Sequence, residues 1–188
     1  MIFDVIVIGS GPGGASSACI FSEGGLSVLL IEEGKNIPQS KLSSFSTDEM
    51  NEKYRNQGVT VAFGNPKINF IEGKVLGGGS EVNSGLYFPP NEKIMDSWKD
   101  EFNILDFNYE DLIKHSKIIE KDINVSYMPK NPPLASLKLK YGAEKLNWSS
   151  IEVPRWFSYD SEEGNSGIRQ SMSETYIPRY INSGGKIE

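Results

Sequence analysis

The stretch Phe3–Gly14, "FDVIVIGSGPGG", decides the fold. Val5 to Ile8 form an unbroken β-branched run that ends on a glycine, which reads as a strand buried on both faces of a parallel sheet. "PGGASSACIFSEGG" follows. Its small residues suit a helix packed closely on that strand, and Gly24-Gly25 stop it. "LSVLLIEEG" is a second buried strand. Strand, helix and strand over residues 1–34 make a βαβ unit with a right-handed crossover.

The turn between the first strand and the helix carries Gly9-x-Gly11-x-x-Gly14. A first glycine allows a tight turn, a second lets backbone approach a pyrophosphate, and a third lets helix and strand pack closely. Free N–H groups and the helix dipole then face the phosphates. Glu32 sits at the carboxyl end of the second strand. Its carboxylate suits the two hydroxyls of an adenosine ribose and would repel a 2′-phosphate, so NADP is disfavoured. The first turn's candidate cofactor contacts are Gly9, Ser10, Gly11, Pro12, Gly13, Gly14, Glu32 and Glu33. FAD and NAD both fit them.

The totals frame this reading. The chain of 188 residues suffices for one domain, or one domain with a small appendage. The formal net charge of −6 argues against nucleic acid or an anionic membrane as partner. No apolar run approaches the roughly 18 residues of a membrane-spanning helix. A strand-like start without a basic leader points away from a secretory signal. Cys19 is the single cysteine, which excludes an internal disulfide and a cysteine-based zinc site. No metal site is expected, and a cytoplasmic location is.

Between Lys35 and Asn69 the sequence is polar and irregular and reads as a partly helical surface excursion. A helical excursion is expected over 108–150. "NYEDLIKHSKIIEKDIN" is amphipathic with Asn108 as cap, and a second helix over "LASLKLKYGAEKLNW" is weakened by Gly142. "YDSEEGNSG" reads as an exposed loop whose carboxylates are solvated. Ser171 and Glu174 have capping-box spacing, and Pro178 should kink the following helix or mark a later start. Gly184-Gly185 end that helix, and "KIE" opens another strand, as though the sequence stopped inside an alternating α/β pattern.

Residues 73–85, "GKVLGGGSEVNSG", form a second glycine cluster. Gly77, Gly78 and Gly79 would admit backbone N–H groups close to a ligand. Ser80, Asn83 and Ser84 could hydrogen-bond it. FAD, longer than a simple nucleotide, needs such extra contacts. A plain surface turn with Asn83 as cap is the other reading.

Taken together, "DVIVIGSGPGG…VLLIEEG", "GKVLGGGSEVNSG" and "SMSETYIPRYINSGGKIE" resemble the N-terminal part of the glucose–methanol–choline (GMC) oxidoreductases. Gly73, Lys74, Leu76, Gly77, Gly78, Ser80 and Asn83 match the family's first signature. Glu72 stands where the signature has Arg, and Gly79 where it has Ser. The resemblance implies an incomplete, doubly wound, Rossmann-like α/β domain that binds FAD, with the second cluster as its flavin-side contact. It implies oxidation of alcohols, sugars or sterols by hydride transfer from a CH–OH carbon to flavin N5. The family's catalytic His, its partner and the substrate domain have no counterpart here, so no catalytic residue is assigned. A second chain carrying the C-terminal half would complete such an enzyme, whose substrate is a small-molecule alcohol. On this reading the chain alone is inactive, truncated or split. The rival is a non-catalytic dinucleotide-binding remnant or structural partner subunit.

His115, the single His, reads as a structural or half-exposed helix residue. Cys19 reads as a buried, inert thiol. Trp148, Trp156, Phe157 and Tyr159 read as core packing. Glu81, beside the second cluster, is expected to face solvent.

Overall fold

The structure is a computed structural model and describes residues 2–159 and 166–188. The carboxylates expected in an exposed loop, Asp160, Glu162 and Glu163, lie outside the described residues. The chain divides into two compact units, Met1–Ser84 with Gln170–Glu188, and Gly85–Arg169.

The first unit opens with β1 (Val5–Ile8), α1 (Pro12–Glu23) and β2 (Val28–Ile31). Gly11 caps α1 and Pro12 takes its first position, where a missing N–H costs nothing. β1 and β2 run parallel, with Val5 opposite Val28 and Ile8 opposite Ile31. α2 (Thr47–Lys53) follows, capped by Ser46 Oγ, which accepts Glu49 N–H at 3.1 Å. β3 (Thr60–Ala62) and β4 (Ile68–Phe70) pair as an antiparallel hairpin.

The second unit holds α3 (Glu92–Phe102), α4 (Tyr109–Asp122), β5 (Val125–Ser126), α5 (Leu134–Lys145), β6 (Arg155–Tyr159) and β7 (Gly167–Arg169). The three strands form an antiparallel sheet in the order β5-β6-β7. Asn108 caps α4 as its position implies, its Oδ1 accepting Asp111 N–H at 2.8 Å. Asn91 caps α3 in the same way at 3.1 Å, a helix not anticipated from the sequence. His115 is exposed on α4. Trp156 is buried, as core packing requires, whereas Trp148 is 68% exposed and contributes nothing to a core.

The chain re-enters the first unit through α6 (Tyr176–Asn182) and β8 (Lys186–Ile187). β8 pairs parallel with β2, giving the order β1-β2-β8, so "KIE" is the strand opening it resembled. Ser171 does not cap α6. Its carbonyl instead accepts Glu174 N–H at 3.0 Å and the Thr175 hydroxyl at 2.7 Å, and the helix begins only at Tyr176. That late start puts Pro178 in the first turn, where it breaks no helical hydrogen bond.

Ala15, Ala18 and Cys19 of α1 are fully buried, and Cys19 is thus the enclosed thiol expected. Val28 and Leu30 of β2 complete this layer with Tyr180 of α6. The Tyr180 hydroxyl lies 2.8 Å from the Val28 carbonyl oxygen and 2.7 Å from that of Lys186, and accepts Lys186 N–H at 2.9 Å. One phenol therefore ties β8 to β2, and burial pushes its pKa up. Tyr180→Phe leaves those backbone groups without their partner. It should lower stability by about 1–3 kcal/mol in chemical denaturation, with the fold retained.

One face of β1 is exposed. Ile6 is 58%, Ile8 84% and Ile31 39% exposed, on the face opposite α1. The expectation that β1 is buried on both faces therefore fails on one side. Its apolar run matches a two-sided strand, but Ile6 and Ile8 stay exposed on that second face, while Leu29 of β2, beside Ile6, is buried.

Candidate dinucleotide site

The two glycine turns form one structure. A Cβ on Gly78 would lie 2.9 Å from Gly11 Cα, so the second turn rests directly on the first. Gly78 also has φ +57° and Gly77 φ +101°, left-handed conformations that favour glycine. Within the first turn a Cβ on Gly14 would fall 1.8 Å from the Gly9 carbonyl oxygen, so only glycine fits there. By contrast, space is open beside Gly9, Gly11, Gly13 and Gly79, where an added Cβ would meet nothing within 4 Å. The result is a backbone-lined cradle at the N-terminus of α1, with Pro12 and Gly13 exposed at its edge.

Buried polar contacts hold the turns in place. Ser10 Oγ donates to Glu32 Oε2 at 2.5 Å and accepts Gly77 N–H at 2.8 Å. Ser10 N–H also donates to Glu32 Oε2 at 2.8 Å, and Gly34 N–H donates to Oε1 at 2.7 Å. Glu32 thus stands at the end of β2, where the sequence pattern put it, half-buried and oriented by three donors. Ser80 Oγ donates to the Gly77 carbonyl at 2.7 Å and accepts Met172 N–H at 3.0 Å. Glu81 Oε1 accepts Ser173 N–H at 3.3 Å. The expectation that Glu81 faces solvent is wrong. It is fully buried behind Gly77, and its Oε2 has no hydrogen-bond partner.

Residues 73–76 enter the site as an extended segment gripped on both sides. Leu76 N–H donates to the Lys35 carbonyl at 3.0 Å, and Lys74 N–H to the Lys53 carbonyl at 2.8 Å. Arg55 N–H donates to the Glu72 carbonyl at 2.9 Å. The Arg55 guanidinium pairs with Glu33 and, at 3.1 Å, with Glu72, and Lys74 Nζ lies 3.6 Å from Glu33. These cations, Arg55 first, hold the Glu33 carboxyl below its ordinary range. Because the folded-state pKa is depressed, the clasp contributes above the normal carboxylate range and is lost as pH falls through the folded pKa. Glu33 is therefore engaged by Arg55 and Lys74 at the surface. Asn83 and Ser84 are exposed where the second turn ends, and Asn83 N–H donates to the Gly79 carbonyl at 3.2 Å.

Sequence reasoning missed Arg55 and the backbone of Met172 and Ser173. Arg55 lies in the polar stretch without a periodic pattern, and a backbone donor has no residue-type signal.

A parallel βαβ unit with a glycine cradle at the helix N-terminus and an acid at the end of the next strand defines a dinucleotide-binding protein of the doubly wound class. The chain belongs to the GMC oxidoreductase family, whose N-terminal profile matches residues 6–188. An uncharacterised GMC-type oxidoreductase of Sinorhizobium fredii is 31% identical over 98% of this chain and 38% of its own length. A long-chain-alcohol oxidase of Arabidopsis thaliana is 26% identical over 87% of this chain and 22% of its own length. The fold is shared with an FAD-dependent oxidoreductase from Chaetomium thermophilum, with a TM-score of 0.73 and 16% identity over all of this chain and 38% of that one. It is also shared with formate oxidase of Aspergillus oryzae, with a TM-score of 0.62, 16% identity, and coverage of 99% of this chain and 38% of that one. The chain therefore spans well under half the length of these relatives. Among the described residues no helix is long and apolar enough to cross a membrane.

Proposed function

We propose that this chain is the FAD-binding N-terminal portion of an oxidoreductase acting on CH–OH donors. The observation that carries the reading is the contact of Gly78 with Gly11, which joins two glycine turns into one extended cradle. A short nucleotide needs only the first turn. Open space beside Gly11, Gly13 and Gly79 leaves room for a ligand along both turns, and the residues fit FAD.

In this reading the N–H groups of the first turn and the α1 dipole bind the pyrophosphate. Glu32, already aimed by Ser10 and Gly34, accepts an adenosine ribose hydroxyl with its remaining lone pair on Oε1. Gly78 and Gly79 lie beyond the pyrophosphate, above the buried Gly77 and Ser80, and Asn83 and Ser84 lie at the exposed end of that turn. Bound FAD supplies the hydride acceptor. The base that takes the hydroxyl proton and the groups that choose the alcohol belong to further sequence, on the same chain or on a second one. Bare Ile6, Ile8 and Ile31 offer that sequence an apolar face to cover. The long-chain-alcohol oxidase relative favours a long-chain alcohol among the substrates to try first.

Anaerobic addition of long-chain alcohols to the flavin-loaded full-length protein should bleach the flavin's visible absorption. Flavin that stays oxidised with alcohols, sugars and sterols alike would contradict the CH–OH assignment. Glu32→Ala should weaken FAD binding about tenfold or more in a fluorescence titration, because a charge-assisted hydrogen bond to the ligand is lost and the Ser10 and Gly34 donors lose their acceptor. Unchanged affinity would remove Glu32 from the site.

A further inference from the structure

Ser10 occupies the second position of the first turn, where a side chain would ordinarily be counted as a ligand contact. Its residue surface is 0% exposed. Its hydroxyl proton goes to Glu32 Oε2 at 2.5 Å, and its oxygen accepts Gly77 N–H at 2.8 Å. A hydroxyl has one proton and two lone pairs. No accessible part of this one is left for a molecule in the cradle. What it joins is notable in position. Glu32 ends β2, and Gly77 immediately precedes the residue that rests on Gly11. The carboxylate at the ribose end and the backbone of the second turn are thus linked through one enclosed oxygen, across 67 residues of chain between Ser10 and Gly77.

We propose that Ser10 is a positioning residue that couples the two ends of the dinucleotide site. The inference rests on the FAD reading above. Glu32 accepts three hydrogen bonds from Ser10 and Gly34 and is half-buried, so one side of its carboxylate stays open to a ligand. A ribose hydroxyl donating to Glu32 would add a fourth hydrogen bond and fix that carboxylate. A fixed carboxylate holds the Ser10 hydroxyl turned toward it, which leaves the Ser10 lone pair aimed at Gly77 N–H. Binding at the adenosine end thereby orders the second turn before the flavin end arrives. Ordering by one part of a ligand spares the next part that cost, which is positive coupling without a large change of shape. Hydrogen bonds to an ionised acceptor are the strong ones and polarise their neighbours, so the serine is suited to transmit the state of Glu32.

Hydrogen exchange of the Gly77 amide, read by mass spectrometry in the full-length protein, tests this. Adenosine is the probe, because it carries the ribose and no phosphate to reach the second turn directly. Adenosine should slow exchange at Gly77 about tenfold in the unaltered protein. In Ser10→Ala, exchange without ligand should be at least tenfold faster, and adenosine should no longer change it. If adenosine protects Gly77 equally in Ser10→Ala, or if the ligand-free rate is unaltered there, the coupling role is wrong. Should Ser10→Ala fail to fold, Ser10→Gly takes its place, with no hydroxyl at that position and the same two criteria. Failure of the unaltered protein to bind adenosine or FAD would contradict the functional reading separately. The ligand-free rate at Gly77 would then decide whether Ser10 holds the second turn.

Discussion

Gly14→Ala is expected to lower stability by about 3 kcal/mol or more and to abolish dinucleotide binding. A methyl group at residue 14 would sit 1.8 Å from the Gly9 carbonyl oxygen, 3.0 Å from its carbon and 3.4 Å from Val7 Cγ1. Two of these atoms are backbone and cannot rotate away. Relief requires α1 to move off β1, and the packing of Ala15, Ala18 and Cys19 moves with it. Overpacking of an enclosed site usually costs about 1–3 kcal/mol, and displacing backbone lies at or above the top of that range. Chemical denaturation gives the stability and a flavin titration gives the binding. A variant as stable as the parent would show that the close approach of turn and helix is not required.

Gly78→Ala should separate binding from stability. The added methyl group would lie 2.9 Å from Gly11 Cα and 3.3 Å from Gly11 N. Residue 78 also has φ +57°, a conformation that costs an alanine about 1–2 kcal/mol. The second turn has to shift off the first, against the hydrogen bonds of Gly77 with Ser10 and of Ser80 with Met172, while the α1–β1 packing stays in place. The expected result is a folded protein, weakened by about 1–2 kcal/mol, whose FAD affinity falls a hundredfold or more. ADP, which spans the first turn alone, should lose much less. Equal losses for both ligands would mean that the second turn does not act as a separate contact.

The first unit was legible where physics is local. The apolar run Val5–Ile8, the glycine spacing and Gly24-Gly25 each act on their immediate neighbours, and β1, α1 and β2 appear where those residues imply. Asn108 announced α4 because a cap bonds only three residues ahead. Less local features escaped. Ser171 and Glu174 have the right spacing for a capping box, but the Ser171 carbonyl is drawn into a turn and the helix starts later. Glu81 looked like a surface carboxylate because carboxylates seldom lie fully buried. Its burial comes from the meeting of residues 77–81 with residues 171–173, which no window of sequence contains. The same holds for the contact between Gly78 and Gly11. Sequence could name both turns as candidate cofactor contacts, and only the fold brings them together.

The most direct measurement is the stoichiometry of FAD on the purified protein after dialysis, read from its absorbance spectrum. The account predicts close to one flavin per chain, with visible bands displaced from those of free FAD. A folded, soluble protein that retains none, and whose Gly78→Ala variant behaves identically, would contradict the claim that the paired turns are an FAD site.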